Sequence, residues 1–232
     1  DPSARQPASQ VDPAAARIAV TIPCYNEAVT IAKVIADFRA ALPGAAIYVF
    51  DNNSSDNTAQ IARDAGAIVR SEQRQGKGNV VRRMFSDVEA DIYLMVDGDN
   101  TYDATIAPTL VELLKRNHVD MVVGTRADVT RDAGREGHAF GNKLFNKIYG
   151  RLFGKQFSDI FSGYRVFTRR FVKSFPAVSA GFEIETEMSV HAGELKLPIS
   201  EIELDYGACF GRHKTPRQTP RRRQRLRIKP KM

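Results

Sequence analysis

Apolar residues along this chain fall into two alternating kinds of run. "RIAVTIP" (17–23) is dense in β-branched residues and reads as a buried strand, whereas "EAVTIAKVIADFRAAL" (27–42) sets Ile31, Val34, Ile35, Phe38 and Leu42 at helical spacing before Pro43-Gly44 stops it. The alternation then repeats. "AIYVFD" predicts a strand, "SDNTAQIARDAG" a helix opened by a Ser or Asp cap and closed by Gly66, and "AIVRS" a short strand. "GKGNVVRRMFSDV" predicts a helix, "DIYLMVD" a strand, "ATIAPTLVELLKRN" a helix and "VDMVVGTR" a strand. Four strand–helix units in succession predict an α/β fold, a single domain whose mostly parallel sheet is flanked by helices on both faces.

After Arg126 the pattern breaks. "ADVTRDAGREGH" is polar and aperiodic, and predicts a loop over the site. A helix around "AFGNKLFNKIYGRLF", a turn at "SDIFSG", a strand "YRVFT", a helix "EIETEMSVHAGEL" and a strand "ISEIELDY" follow. Residues 1–16, rich in Pro, Ala and Ser, predict a flexible leader. One domain over 17–208 and a disordered basic tail over 209–232 complete the expected organisation.

Size and charge refine this picture. A chain of 232 residues, 43% hydrophobic, can fill one sizeable core. Ten of its 34 Lys and Arg lie between Tyr206 and Met232, where there is no acid; the 24 that remain face 27 Asp and Glu, so the body carries −3 and the tail accounts for the net +7. Such a tail suits an anionic membrane surface, or nucleic-acid phosphates without sequence specificity, because no stacking aromatic follows Phe210. Cys24 and Cys209 form no disulfide framework or metal-type cluster, which points to a reducing compartment. No stretch approaches the roughly 20 consecutive apolar residues of a membrane span, and the first residues lack the apolar core of a signal peptide.

The chemistry sits at strand ends. In open α/β sheets ligands bind beyond the carboxyl ends of strands, and here "PCYNE", "DNNSSDNT", "QGKGN" and "DGDNTYD" each follow a predicted strand. A dinucleotide fold needs its glycine fingerprint in the first turn, which reads "PCYNEA", and "GKGN" lacks the spacing of a P-loop. Asp97 and Asp99 end an apolar run, and burying an unpaired carboxylate costs several kcal/mol, so a cation is expected beside them. Two hard oxygen donors suit Mg²⁺ or Mn²⁺, whose shell is completed by water and substrate phosphates; the competing reading of Asp-Gly-Asp is a surface turn. Asp51 can accept a base N–H, while the alternative of capping the next helix suits Ser54 or Ser55 better. Lys77 is placed to meet a phosphate near a helix N-terminus; Arg82 and Arg83 are equally well solvated charges.

"IPCYNE", "VFDNNSSDNT", "GKGNVVRR", "VDGDNTYD" and "DIFSGYRVF", in that order, resemble the family-2 glycosyltransferases of GT-A fold, and among them the polyprenyl-phosphate branch that includes dolichol-phosphate mannose synthase. The resemblance runs from about Arg17 to Tyr206. It implies that Pro23, Tyr25, Glu27, Asp51, Asn53, Lys77 and Asp97 line the site of a UDP- or GDP-linked sugar, and that Asp97 and Asp99 hold the metal, with Thr101 where a glutamine often assists. It also implies that Arg126, Arg131, Arg135, His138 and Arg165 meet the acceptor phosphate, and that Asp159 orients acceptor or sugar. An Asp159–Arg165 ion pair holding the turn is the competing reading, and one of Glu183, Glu185 and Glu187 could face the sugar or all could lie on a solvated helix face. The chain departs from relatives in offering Asn142, Lys143 and Asn146 where an arginine and a serine are usual, and in lacking the "G-S-x-S-K-L" segment after its last strand.

The expected activity is therefore metal-dependent, inverting transfer of a sugar to a polyprenyl phosphate, by a cytoplasmic enzyme peripheral at the inner face of a membrane. A saccharide acceptor within the same fold, and nucleic-acid binding through the tail, are the alternatives.

Overall fold

The computed structural model of the protein describes residues 16–126, 162–204 and 228–230. Strands β1 (Ile18–Cys24), β2 (Ala46–Asp51), β3 (Ile68–Ser71) and β4 (Ile92–Met95) alternate with helices α1 (Ile31–Ala41), α2 (Thr58–Asp64) and α3 (Lys77–Asp87). A short 3₁₀ turn (Ala104–Ile106) leads into α4 (Ala107–Arg116) and β5 (Met121–Arg126). β6 (Arg165–Thr168), α5 (Arg169–Ser174), α6 (Ile184–Glu194) and β7 (Ile199–Leu204) follow, and β8 (Ile228–Pro230) closes the order. Each predicted element within these residues is present. Helix α5 is not among the predictions: Thr168 caps it, its hydroxyl accepting from the Phe171 amide at 3.2 Å.

The strands form one mixed sheet in the order β3-β2-β1-β4-β6-β5-β7-β8. Pairings β1–β2, β1–β4, β2–β3 and β5–β7 are parallel, as the alternation predicts. β6 is inserted antiparallel between β4 and β5, setting Met95 opposite Arg165 and Val123 opposite the same arginine. β8 pairs antiparallel with β7, so three residues of the segment expected to be disordered extend the sheet edge.

Strict alternation along the strands divides the interior into two layers. In β4, Ile92 and Leu94 face one layer and Tyr93 and Met95 the other; in β6, Val166 and Phe167 divide likewise. The first layer takes Ile31, Val34, Ile35 and Phe38 of α1 and Leu110, Val111, Leu113 and Leu114 of α4. The second takes Val80, Val81, Met84 and Phe85 of α3, with Phe171 and Val172 of α5 and Ile184 and Met188 of α6. The result is a helix–sheet–helix sandwich whose parallel strands β1, β2 and β4 all end at one edge, where the polar clusters collect. Among the described residues no helix is long and apolar enough to cross a membrane.

Candidate active site

A cleft of about 440 Å³ opens at that edge, lined by residues of all four polar clusters, Pro23, Tyr25 and Glu27, Asn52, Lys77, and Asp97 and Asp99 among them. Its first two walls are tied together. Asn26, in a left-handed turn with φ of 56°, accepts from the Ser55 amide at 2.8 Å, and its own amide donates to Ser54 Oγ at 2.9 Å. The Glu27 amide donates to Thr58 Oγ1 at 2.8 Å. Asp56, of the Ser and Asp residues expected to open α2, accepts from the Thr58 amide at 2.9 Å, while Asn57 at the cap position makes no side-chain bond to the helix.

Asp51, at the end of β2, is 6% exposed and, like Asn53, is not among the residues lining the cleft. Its Oδ2 accepts from the Ser54 amide at 3.3 Å, while Oδ1 is buried without a hydrogen-bond partner. An orphaned carboxylate oxygen is costly unless a ligand donor satisfies it. Asn53, expected at the nucleotide, is exposed in a left-handed turn (φ 62°) and lies outside the cleft lining. Asn52 lines the cleft instead: it is buried, donates to the carbonyls of Glu72 (3.0 Å) and Arg74 (2.8 Å), and accepts from the Gly76 amide at 2.8 Å, fixing the turn before α3.

Lys77, the first residue of α3, lies in a salt-bridged cluster rather than facing open solvent. Its Nζ is 2.5 Å from Asp97 Oδ1 and 2.6 Å from Glu185 Oε1. Burial opposes its charge, but Asp97 and Glu185 outweigh that and hold the ammonium well above the ordinary lysine range. The cation expected beside Asp97 is thus supplied by the chain itself. The helix start offers little to a phosphate, because the Gly78 and Asn79 amides donate to the carbonyls of Gly181 (3.1 Å) and Ala180 (3.2 Å).

Of the three glutamates on and before α6, Glu185 reaches the site. Burial pushes its carboxyl up, and Lys77 and then Arg165 pull it back. Glu187 instead accepts from the Val178 and Ser179 amides, both at 2.7 Å, and Glu183 from the Gly181 amide at 3.1 Å. Arg82 likewise serves the structure, bonding the carbonyls of Ala177 (2.8 Å) and Val178 (3.0 Å); Arg83 pairs with Asp87 at 2.6 Å. Phe182, 77% exposed, and the half-exposed Tyr25 stand on the cleft lining.

Arg165, expected at the acceptor phosphate, is fully buried. Its Nε donates to the Ser162 carbonyl at 2.8 Å and Nη1 to Ser189 Oγ at 3.0 Å, binding β6 to α6. A guanidinium sealed in the core cannot meet a substrate phosphate, so that expectation is corrected. Arg126 ends β5, and its side chain, with Arg131, Arg135, His138 and Asp159, lies outside the described residues.

The residues present fit a divalent ion. Asp97 and Asp99 present hard oxygen donors on one cleft, Asp99 Oδ1 accepting from the Thr101 amide at 2.9 Å. Gly163 makes room for the Asp97 carboxyl: a Cβ there would fall 2.3 Å from Oδ2. Among the described residues no three His, Cys, Asp or Glu side chains gather as a ready cage, so an ion held by the acid pair would have to complete its shell from substrate and water. Glu27 adds to the negative field; burial raises its pKa, Thr30 opposes the rise, and Asp99 and Asp97 add to it. The Cys24 thiol beside it is buried and pushed well up, by burial first and these carboxylates next.

The sequence profile of glycosyl transferase family 2 matches residues 19–175. Protein RfbJ of Shigella flexneri is 63% identical over 122 residues, 52% of this chain and 95% of RfbJ. Glycosyltransferase AglJ of Haloferax volcanii is 38% identical over 191 residues, 82% of this chain and 62% of AglJ, so the chain spans less than two thirds of that relative. A dolichol-phosphate mannosyltransferase of Pyrococcus furiosus is 27% identical over 117 residues, 47% of this chain and 33% of its own length. Among solved structures, Mycobacterium tuberculosis glucosyl-3-phosphoglycerate synthase superposes with a TM-score of 0.69 at 24% identity over 85% of this chain and 74% of its own. Its complex with Mn²⁺, UDP and glucosyl-3-phosphoglycerate gives 0.70 at 22%, over 82% and 70%. The structural likeness is one of fold, the GT-A arrangement. With that fold, the matched profile and the carboxylates gathered at the strand ends, the chain belongs to glycosyl transferase family 2.

Proposed function

We propose that the protein transfers a sugar from a nucleotide diphosphate sugar to a polyprenyl phosphate, with inversion at the anomeric carbon. The observation that carries the nucleotide half is the unpartnered Asp51 Oδ1 at the end of β2, next in the chain to the cleft residue Asn52. A carboxylate so placed accepts a base N–H, and the exposed Tyr25 and Phe182 offer flat apolar faces to base or sugar. Asp97 and Asp99 would hold Mg²⁺ or Mn²⁺, which when bound offsets negative charge on the diphosphate leaving group. Thr30 and the tied turns of β1 and β2 keep the cleft walls rigid, so positioning costs little on binding.

A phosphate acceptor is already ionised near neutral pH, so the chain has to place it rather than deprotonate it. The likeness to a dolichol-phosphate mannosyltransferase supports that acceptor, and the basic tail supports a position at an anionic membrane surface. The test supplies the full chain with Mn²⁺, labelled UDP- and GDP-sugars, and either a polyprenyl phosphate or a free saccharide. Label in the lipid product with inverted configuration is expected. Retention, preference for the saccharide, or equal transfer in excess chelator would overturn the reading.

A further inference from the structure

Lys77 joins two carboxylates that come from different parts of the fold. Asp97 lies just beyond β4, Glu185 sits on the first turn of α6, and the ammonium is 2.5 Å from one and 2.6 Å from the other. The side chains of Lys77 and Glu185 are 9% and 8% exposed, whereas that of Asp97 is 27% exposed and lies on the cleft lining. A divalent ion arriving at Asp97 from the cleft therefore meets a carboxylate whose Oδ1 already carries a cation.

We propose that Lys77 is the resident counter-ion of Asp97, exchanged for the divalent ion on metal binding, and that Glu185 is the positioning residue that makes the exchange possible. This inference rests on the metal role given to Asp97 and Asp99. An ammonium withdrawn from its only partner inside a protein would be strongly penalised. Glu185 removes that obstacle by retaining the ammonium when Asp97 turns to the metal. Glu185 is itself steadied by the field of Arg165, which bonds Ser189 one helical turn along α6. The described residues thus hold a second partner ready for Lys77.

The consequence is a sign that a merely structural cluster would not give. Mn²⁺ affinity is measured on the full chain without nucleotide, by the electron paramagnetic resonance signal of free Mn²⁺. Lys77→Met removes the competitor and tightens Mn²⁺ binding by about tenfold or more. Glu185→Gln leaves Lys77 only Asp97 to hold, and weakens Mn²⁺ binding several-fold. Lys77→Met leaves Glu185 buried and unpaired, so the charge-balanced double variant Lys77→Met/Glu185→Gln carries the decision if the single one melts early; it too binds Mn²⁺ more tightly than wild type. Binding no tighter than wild type in the double variant, or tighter in Glu185→Gln alone, overturns the exchange. In that event, an Asp97→Asn variant that has lost Mn²⁺ leaves the metal reading standing. No Mn²⁺ binding by wild type, or binding untouched by Asp97→Asn, overturns both.

Discussion

Gly78 sets two physical effects against each other. It is the second residue of α3, and in an open helix alanine is favoured over glycine by about 1 kcal/mol. A Cβ at this position, however, would fall 2.1 Å from the Ser179 carbonyl oxygen and 2.8 Å from the Ala180 carbonyl carbon, both backbone atoms. The segment it would strike is held by the amides of Gly78 and Asn79, by Arg82 and by Glu187, so it cannot retreat without loss. Loosening the Gly78–Gly181 and Asn79–Ala180 bonds costs about 1 kcal/mol each. Overpacking adds roughly 1–3 kcal/mol. With the helix gain subtracted, Gly78→Ala should destabilise by about 2–4 kcal/mol, a fall in Tm of roughly 5–15 °C for a domain of this size. Gly44→Ala is the control, since nothing lies within 4 Å of its Cβ position. Thermal melts followed by circular dichroism decide the matter. A Gly78→Ala variant melting at or above wild type would refute the close approach of α3 to residues 179–181, and with it the closed helix start.

Other perturbations separate roles that the sequence leaves joined. Asp51→Ala removes a buried oxygen that has no partner, along with the Oδ2 that accepts a long 3.3 Å bond from the Ser54 amide, so titration calorimetry should show UDP affinity at least about tenfold weaker, near 1.4 kcal/mol, while Tm falls by no more than a few degrees; a variant that melts early and binds UDP normally would make Asp51 structural. Arg165→Met removes a fully buried charge bonded to Ser162 and Ser189, and urea unfolding should register a loss of about 3 kcal/mol or more. Unchanged stability with a raised KM for the acceptor would instead return Arg165 to the phosphate. His191, packed edge-on to Phe171 and Phe175, has its pKa lowered by burial against the opposing pull of Glu187. A depressed folded-state value gives stability that is present above the ordinary 6.5 and lost as pH falls through the folded value. The melting temperature of His191→Gln should therefore decline less than that of wild type on acidification from pH 6.5, and parallel curves would refute the assignment.

The parts of this fold that were legible were those fixed by local periodicity. Alternation of strand and helix named β1 to β5 and placed the polar clusters at their ends, and the cleft collects all four. The antiparallel seat of β6 was not legible, because "YRVFT" carries the same alternation whichever strand it pairs with, and its partners lie about 70 and 40 residues away. α5 is one and a half turns long and opens with two arginines, too short for a helical stripe. At the site, the choice between Asn52 and Asn53 turned on backbone: asparagine tolerates the left-handed turn, so Asn53 supplies a conformation and Asn52 a side chain. Glu185 could have been singled out. It shares a helix face with Ser189 and Ala192, both buried, whereas Glu183 and Glu187 do not. The Lys77 pairings could not, since Glu185 is 108 residues distant.

The position of β6 also imposes an order on biosynthesis. β4 pairs with β1 on one side and with β6 on the other, so a ribosome that has released β4 leaves one hydrogen-bonding edge open until Arg165 to Thr168 emerge. At about 5–20 residues per second, that wait lasts roughly 4–14 s. For those seconds the nascent chain carries an unpaired strand with Ile92, Tyr93, Leu94 and Met95 along it, the kind of edge to which a neighbouring chain can add. That interval of synthesis is a point at which this protein is exposed to aggregation, and a chaperone that masks strand edges should raise its soluble yield.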